Sequence, residues 1–498
     1  MAPEIRLYDS LTNSEQLLET RVPGEISIYV CGMTVYDYCH IGHARAMLSF
    51  DLVVRHLRHR GYKVNYVRNH TDVDDKIINR ANEQGVPPLE LAQRFIDALD
   101  KDAAALGLIV PDHEPRVSGH IDGIIEMIGQ LIERGHAYAA DGSVYFSVDS
   151  FDDYGKLSGK KLEDLIAGKR VASGEEKRSP ADFALWKAVK PGEIAWESPW
   201  GPGRPGWHIE CSVMSLHHLG PAFDIHGGGI DLLFPHHENE IAQSVCATGE
   251  QFAKYWMHNG HLNFGEEKMS KSLGNIVRIR DILEQVPGEA LRLLYFEAHY
   301  RSPLPYSTEK LAACVSGLNR IYQAKEVART IVDSDRSGTD AERLVKDLGG
   351  GPAESLLKAA SSFEERFNAA MDNDFNSAKV IGDLYDLVRE VNRAGTVKAI
   401  RKRGGDLMAR ALKAMELCGE VLGIAGQEPS TFFDDLKMQR LKADGVAPER
   451  IDELLERRKD ARASKDWAAA DAIRDELAAL KVEVMDRPEG TVWRVIVD

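Results

Sequence analysis

The chain has 498 residues, and at about 100–200 residues per domain this length predicts about three to five structural units. Its 62 Lys and Arg residues against 78 Asp and Glu residues give a net charge of −16, which argues against a polybasic protein that coats nucleic acid without specificity. The sequence has no run of about 18 apolar residues and no signal-peptide pattern, and six cysteines are too few for a disulfide scaffold. We therefore expect a cytoplasmic protein with no membrane association.

The amino-terminal part predicts a βαβ unit. Residues 26–31 form a β-rich run, residues 44–57 place apolar side chains at helical spacing, and residues 62–68 alternate as a strand does. This order is typical of a parallel, doubly wound sheet, in which ligands bind at the carboxyl ends of the strands. The prediction is the first half of a Rossmann-type domain in residues 1–106.

The remaining chain predicts four further kinds of segment. An insertion of helices, short strands and Pro-rich turns is expected at 107–205, and the Rossmann-type sheet is expected to resume over 206–250. A linking region follows at 251–306. The pattern is then helical over 307–422, which indicates a helix bundle, and residues 434–498 predict a small α/β module.

A pair of histidines, in the sequence His40-Ile-Gly42-His43, follows the first predicted strand and begins a helix. Backbone N–H groups make a helix N-terminus an anion site, and imidazoles there can donate hydrogen bonds to a phosphate. Gly42 allows a ligand to approach the backbone closely. Taken alone, two surface histidines at a helix start are the favoured interpretation.

A lysine-rich segment, Lys268-Met-Ser270-Lys271-Ser, lies more than 200 residues downstream and is followed by Leu-Gly-Asn. Two lysines that bracket small hydroxyl residues on a loop suit a polyphosphate. Alone, this segment fits a solvated basic loop. Together with the histidine pair, in this order and at this separation, it is much more specific.

The two motifs are the HIGH and KMSKS signatures that contact ATP in the class I aminoacyl-tRNA synthetases, and the chain resembles that class. Within the class the sequence is most similar to the cysteinyl-tRNA synthetase family, over nearly the whole chain. Five segments carry this likeness: YVCGMTVYD (residues 29–37), RNHTDVDDKI (68–77), GWHIECS (206–212), DIHGGGIDL (224–232) and FPHHENE (234–240).

The resemblance implies an α/β fold, with a class I Rossmann-type catalytic domain carrying a connective insertion, then a helix bundle and an α/β anticodon-recognition module. It also implies a set of ATP contacts. Catalytic roles fall on His40, His43, Lys268 and Lys271, and further contacts with ATP on Gly42, Gly229, Asp231 and Ser270. Mg²⁺ is expected with the ATP.

A metal site has independent support from the sequence. Cys211 is followed 25 residues later by His236, and Glu240 stands four residues further on, on the same face if the segment is helical. Cys31 ends the first predicted strand. Thiolates, an imidazole and a carboxylate suit tetrahedral zinc, although the segment around His236 equally fits the polar start of a helix. The resemblance implies one Zn²⁺ bound by these four residues; it leaves out His237, although either neighbouring histidine would be a feasible ligand.

A zinc ion would explain how cysteine is selected. Serine differs from cysteine by one atom, and an apolar pocket separates such isosteres by only about 1–3 kcal/mol. A soft thiolate is a far better zinc ligand than an alcohol. The resemblance implies an amino-acid pocket formed by Cys31, Gly32, Thr34, Thr71 and Trp207, although from the sequence alone Trp207 is as readily a core residue.

The carboxyl-terminal half offers candidate RNA contacts. Residues 389–413 hold eight basic residues against two acidic ones, including Arg401, Lys402 and Arg403. A solvated helical surface explains such a run equally well. The resemblance places Trp493 and Arg494 in the anticodon-recognition module, where they would stack on a base or pair with phosphate. Packing of Trp493 in the module is an equally good interpretation.

The implied activity is cysteine–tRNA ligase, with ATP, L-cysteine and tRNA(Cys) as partners of a monomer. Two alternatives stay open from the sequence. One is a related ligase that transfers cysteine to an amino sugar; such relatives lack an anticodon module. The other is a non-catalytic paralogue that binds zinc and RNA, against which the intact HIGH and KMSKS motifs argue.

Overall fold

The structure, a computed structural model, describes residues 4–161, 176–264, 267–268, 277–487 and 490–496. Its strands in chain order are β1 (Arg6–Asp9), β2 (Ser14–Leu17), β3 (Glu25–Thr34), β4 (Lys63–Thr71), β5 (Ala137–Ala140), β6 (Ser143–Phe146), β7 (Phe183–Ala188), β8 (Gly203–Pro205), β9 (Phe223–Gly229), β10 (Ala253–Asn259), β11 (Leu262–Phe264), β12 (Glu267–Lys268), β13 (Leu304–Tyr306), β14 (Val482–Arg487) and β15 (Gly490–Val495).

The α-helices in chain order are α1 (Ile41–His59), α2 (Asp75–Gln84), α3 (Pro88–Ala105), α4 (Ile121–Glu133), α5 (Trp207–Leu219), α6 (Glu238–Thr248), α7 (Ile279–Leu283), α8 (Gly288–Phe296), α9 (Thr308–Ser334), α10 (Ala341–Leu348), α11 (Pro352–Ser361), α12 (Phe363–Met371), α13 (Ser377–Gly395), α14 (Lys398–Arg403), α15 (Gly405–Leu422), α16 (Pro429–Ala443), α17 (Pro448–Ala463) and α18 (Trp467–Ala479). A turn of π-helix, Leu233–His237, precedes α6. Within the described part of the chain, no helix is long and apolar enough to cross a membrane.

The central sheet is parallel, with the strand order β10–β9–β3–β4. Ile28 of β3 pairs with Tyr66 on one side and with Ile225 on the other. β4, β9 and β10 are buried over nearly their whole length, and β3 is buried at its centre, because helices cover both faces of such a sheet. The predicted Rossmann-type sheet is therefore present.

The sheet extends further along the chain than the sequence indicated. The strand β10 lies beyond the expected limit at residue 250, yet it pairs with β9 over residues 253–259. Its residues are buried, so it belongs to the sheet rather than to the linking region. The expected boundary missed it because the segment AKYWMHN mixes polar and apolar residues without the regular alternation that marks a strand.

The insertion between the two halves of the sheet has its own antiparallel sheet, in the order β5–β6–β7–β8. Its helix α4 packs on α5 and α6, which follow in the second half of the catalytic domain. Trp186 and Phe146 fill the core that these elements share. The insertion is thus attached to the helices that border the functional site.

Helices α9 to α15 form the expected bundle, in which the long helix α9 packs on α13 and α15. A buried ion pair connects this bundle to the catalytic domain. Nη2 of Arg292 on α8 lies 2.5 Å from Oδ2 of Asp51 on α1, and Nε of Arg292 donates to the carbonyl oxygen of Leu422 at the end of α15. In the last module, α17 packs on α18, and α18 packs on β14 of the β14–β15 hairpin.

Candidate functional site

Four side chains from four separate elements converge beside the carboxyl ends of β3 and β9. The π-turn and the first turn of α6 place His236 and Glu240 one turn apart, with His236 Nε2 at 3.0 Å from Glu240 Oε1. Cys31 ends the regular part of β3, and its Sγ lies 3.5 Å from Sγ of Cys211 on α5 and 3.3 Å from Oε1 of Glu240. Their ligand atoms all lie within 4.8 Å of one another. We call these four residues the metal cluster.

The metal cluster fits a tetrahedral ion. Zinc bonds of about 2.0–2.3 Å imply separations of about 3.3–3.8 Å between neighbouring donors. The two contacts of the Cys31 sulfur, at 3.5 and 3.3 Å, agree with that range, and the histidine–carboxylate contact at 3.0 Å is slightly shorter. The residues that the sequence singled out as ligands therefore meet at one point with a suitable donor set.

The charges of the metal cluster depend on one another. Burial would raise the pKa of Glu240, but His226 and His236 hold it well below its ordinary value. Burial also opposes ionisation of Cys211, yet hydrogen bonding from Cys31 and His236 lowers its pKa to about 6. By contrast, burial and the neighbouring Cys211 raise the pKa of Cys31 well above normal. One thiolate and one carboxylate are therefore available at neutral pH.

Further histidines surround the metal cluster, and sequence reasoning did not assign them a role. His226 on β9 reaches Oε2 of Glu240 with its Nε2 at 2.8 Å, and His208 reaches Nδ1 of His236 with its Nδ1 at 3.0 Å. Such outer contacts orient ligands and fix their protonation. Both histidines lie within motifs quoted above, but only the fold shows which ligand each one contacts.

A second grouping, of Cys31 and Glu240 with His226 and His237, also has its ligand atoms within 4.8 Å. Nδ1 of His237 lies 2.8 Å from Nε2 of His258, and its Nε2 is buried without a hydrogen-bond partner among the described residues. His226 in turn is held on the far oxygen of Glu240. The grouping with Cys211 and His236 is favoured by its own direct contacts, since the Cys31 sulfur and Nε2 of His236 both lie against Oε1 of Glu240 and the two sulfur atoms are 3.5 Å apart.

A cleft of about 430 Å³ connects the metal cluster to the start of α1. Cys31 lines this cleft, and so do His40 and His43. Besides Cys31 and Trp207, seven predicted ligand-binding residues line it: Gly32, Thr34, His40, Gly42, His43, Gly229 and Asp231. Trp207 lines it too, with 37 % of its surface exposed and its ring 4.3 Å from that of His236, so it is not a core residue. Thr71 is buried, and it is not among the described residues that line the cleft.

The two histidines of the HIGH motif are held together at the helix start. Their rings stack with centroids 3.6 Å apart, and Nδ1 of His43 accepts a hydrogen bond from the backbone N–H of His40 at 3.2 Å. His40 is the N-cap of α1, so both rings lie at the positive end of the helix dipole. This arrangement suits an anionic group in the cleft.

Gly32 and Asn69 form a close contact under the cleft. The Gly32 N–H donates to Oδ1 of Asn69 at 2.8 Å, and a Cβ at position 32 would lie 1.5 Å from the Asn69 carbonyl oxygen. Only glycine fits there. Asn69 was missed by sequence reasoning, since nothing in the local pattern separates it from other polar residues of β4.

The remaining predicted residues lie elsewhere or outside the described part of the chain. The Lys268 side chain, Ser270 and Lys271 are outside the described residues. Arg401 and Lys402 are exposed on α14, whereas Arg403 pairs with Asp347 at 3.1 Å.

In the last module, Trp493 is half-buried against an apolar cluster, with the Lys437 ammonium 4.9 Å from its ring centroid. Arg494 pairs with Glu326 of α9 and covers the ring of Phe433. Both side chains thus have packing roles within the protein, and a contact with RNA stays a prediction.

Comparison with known proteins agrees with this geometry. A family model described as the class I (C) tRNA synthetase catalytic domain matches residues 17–316, a DALR domain model matches 366–426, and a cysteinyl-tRNA ligase anticodon binding domain model matches 444–494. The methionyl-tRNA synthetase of Mycobacterium tuberculosis bound by methionyl-adenylate is 15% identical, covers 86% of this chain and 95% of its own, and has a TM-score of 0.61. The fold and the cleft thus define a class I aminoacyl-tRNA synthetase.

Full-length relatives narrow the class. Proteins named cysteine–tRNA ligase from Geobacter metallireducens and Alkalilimnicola ehrlichii are each 50% identical to this chain. The first alignment covers 99% of both chains, and the second covers 98% of this chain and 99% of the relative. The chain belongs to the cysteine–tRNA ligase family.

Proposed function

We propose that this protein joins L-cysteine to tRNA(Cys) in two steps. The carboxylate of cysteine attacks the α-phosphate of ATP, which forms cysteinyl-adenylate and releases pyrophosphate. A hydroxyl of the terminal ribose of the tRNA then attacks the adenylate carbonyl and releases AMP. The observation that carries the proposal is that one cleft is lined both by Cys31 of the metal cluster and by the stacked HIGH histidines.

The residues at the helix start act on the nucleotide. His40 and His43 donate to the phosphate oxygens as charge develops on them, at the positive end of α1. Gly229 brings the backbone close to the nucleotide, and the Asp231 carboxylate accepts from ribose hydroxyls. Lys268, Ser270 and Lys271 contact the polyphosphate, whose charge Mg²⁺ also neutralises.

The metal cluster selects the amino acid. Cys31, Cys211, His236 and Glu240 would hold Zn²⁺, which when bound supplies a soft Lewis acid that prefers a thiolate to the hydroxyl of serine. Gly32, Thr34, Thr71 and Trp207 orient the rest of cysteine, and the contact between Gly32 and Asn69 fixes the floor of the pocket.

The carboxyl-terminal elements favour tRNA as the acceptor over a small amino sugar. The bundle and the module matched at 444–494 have no use in a ligase with a small acceptor. Arg401 and Lys402 are exposed cations on the bundle and would contact phosphates of the tRNA. The remaining predicted contacts already have partners within the protein, which tRNA would displace: Arg403, Trp493 and Arg494. We propose that the protein acts as a monomer in the cytoplasm.

Cysteine-dependent exchange between ATP and pyrophosphate tests the activation step. We expect exchange with cysteine and little with serine. Cys211→Ser should lose bound zinc and affinity for cysteine, while Cys418→Ser, at an equally buried thiol in the bundle, should keep both. If Cys211→Ser keeps both the exchange rate and the zinc content of the wild type, Cys211 is not part of the site.

A further inference from the structure

Three histidines outside the cleft converge at the far end of α5. His217 and His218 occupy its last turn, and His120 immediately precedes α4. One ring nitrogen from each of the three lies within 4.8 Å of the other two. This group, the histidine triad below, shares no residue with the metal cluster.

The His120 ring is already in the form that binds a metal. Its Nδ1 lies 2.7 Å from the carbonyl oxygen of Arg116, and because a carbonyl can only accept, Nδ1 carries the hydrogen. The lone pair is therefore on Nε2. A histidine ligand usually donates its second ring N–H to such a carbonyl, which fixes the ring and its tautomer.

The loop that carries His120 is independently anchored. The backbone N–H of Ser118 donates to Oδ1 of Asp72 at 3.0 Å, and the N–H of His120 donates to the Val117 carbonyl at 2.9 Å. The first ligand is thus held in place by the fold.

His218 has a ring nitrogen that the protein leaves unsatisfied. Its Nε2 is buried, and among the described residues it has no hydrogen-bond partner. A buried polar atom without a partner is costly, and a metal bond would relieve that cost.

The position of the histidine triad favours a cation. The last turn of α5 exposes carbonyl oxygens and carries the negative end of the helix dipole. His217 is exposed, so its ring is free to rotate toward the others. Nitrogens around a tetrahedral zinc ion are about 3.3 Å apart, so the three rings must close somewhat from their present separation.

We propose that His120, His217 and His218 bind a second divalent transition-metal ion of the zinc type, with water as the fourth ligand. Three imidazole nitrogens suit such an ion and not Mg²⁺ or Ca²⁺, which prefer oxygen. The bound ion would fasten the entry to α4 onto the end of α5. Because Cys211 lies in an earlier turn of α5, the second ion would stabilise the helix that carries a ligand of the metal cluster.

The test measures bound metal in the full chain. After equilibrium dialysis against Zn²⁺ buffered at micromolar free concentration, we expect two equivalents in the wild type and one in the His217→Ala/His218→Ala double variant. His120→Gln, a single change on the anchored loop, should also retain one. His113→Ala removes the ring that stacks on His218, with centroids 4.8 Å apart, and should keep two.

Cobalt distinguishes the two sites. The metal cluster should give thiolate-to-Co²⁺ charge-transfer absorption with the first equivalent, and the second equivalent should add only ligand-field bands, because the histidine triad has no sulfur. One equivalent of bound metal in the wild type, or two equivalents in His217→Ala/His218→Ala, would overturn the proposal. Loss of the second ion in His113→Ala would overturn this ligand set.

Discussion

Nε2 of His226 lies 2.8 Å from Oε2 of Glu240, deep in the protein, while the other carboxylate oxygen of Glu240 faces His236 and Cys31. The two oxygens therefore have separate roles. One is fixed by a buried histidine on β9, and the other is presented to the metal cluster. The orientation of Glu240, a proposed metal ligand, thus depends on a residue outside the metal cluster.

Replacing His226 by Ala should weaken zinc binding without removing a ligand. Losing an outer contact to a ligand typically costs about 10–100-fold in metal affinity. Competition with a chromophoric chelator measures this change. His258→Ala is the matched control, since His258 is also buried but contacts His237 and Ser10 rather than a ligand. Equal affinity in His226→Ala and the wild type would contradict the role given to this contact.

Replacing Gly32 by Ala should damage the cleft. The added Cβ would lie 1.5 Å from the carbonyl oxygen of Asn69, so β3 and β4 must separate locally. We expect a loss of at least about 1–3 kcal/mol in unfolding free energy and a raised KM for cysteine in the exchange assay. Urea denaturation and exchange kinetics measure the two effects.

Gly129→Ala is the control for that substitution. Gly129 lies within α4, and no atom stands within 4 Å of the position its Cβ would take. Alanine in a helix interior is favoured over glycine by about 0.5–1 kcal/mol. We expect Gly129→Ala to gain stability with no change in the KM for cysteine. If Gly129→Ala and Gly32→Ala lose similar stability, the contact between Gly32 and Asn69 is not the cause of the loss in Gly32→Ala.

Arg292→Met should loosen the bundle from the catalytic domain. The guanidinium and the Asp51 carboxylate are both almost fully buried, and removing one partner of such a pair costs about 3–5 kcal/mol. Arg389→Met breaks an exposed pair with Asp386 and should cost at most about 1 kcal/mol. Thermal unfolding of the two variants provides the comparison, and equal losses would contradict the importance of burial.

The hairpin of the last module should lose stability in acid. Arg458 holds Asp486 with two hydrogen bonds of 2.9 and 2.8 Å, and these bonds keep the pKa of Asp486 well below its ordinary value. A lowered pKa in the folded state means that the stabilisation is complete above the unfolded value of about 3.9 and decreases as the pH falls below it.

Asp486→Asn isolates that effect. Amide exchange of the β14–β15 hairpin should be faster in the variant than in the wild type at pH values well above 4. The difference should shrink as the pH falls below about 4, because the wild-type carboxyl is then protonated too. A difference that stays constant in acid would point to a cause other than the charge.

Local pattern was enough to predict much of the fold and of the site. The β3–α1–β4 unit follows from its alternating and helical periods, and the four-residue spacing places His236 and Glu240 one turn apart. Cys31 and Cys211 were assigned from the family resemblance. Their sulfur atoms meet across a separation of 180 residues, which no local period encodes.

The outer contacts could not be predicted for the same reason. His226, His208 and Asn69 act through partners that only the folded sheet brings near. The basic run over residues 389–413 shows a related limit of the sequence, since three of its eight cations pair with acids from other helices, as Arg410 does with Glu342. Net charge along a sequence counts these cations but does not show their partners.

The most direct test of the central claim uses radiolabelled free cysteine and ATP, and it measures which acceptor becomes labelled. With tRNA(Cys) and with glucosaminyl-inositol offered separately, the account predicts cysteine-dependent pyrophosphate exchange and label on the tRNA alone. Exchange without charging of tRNA, or label on the amino sugar, would contradict it; absence of exchange would indicate a non-catalytic paralogue.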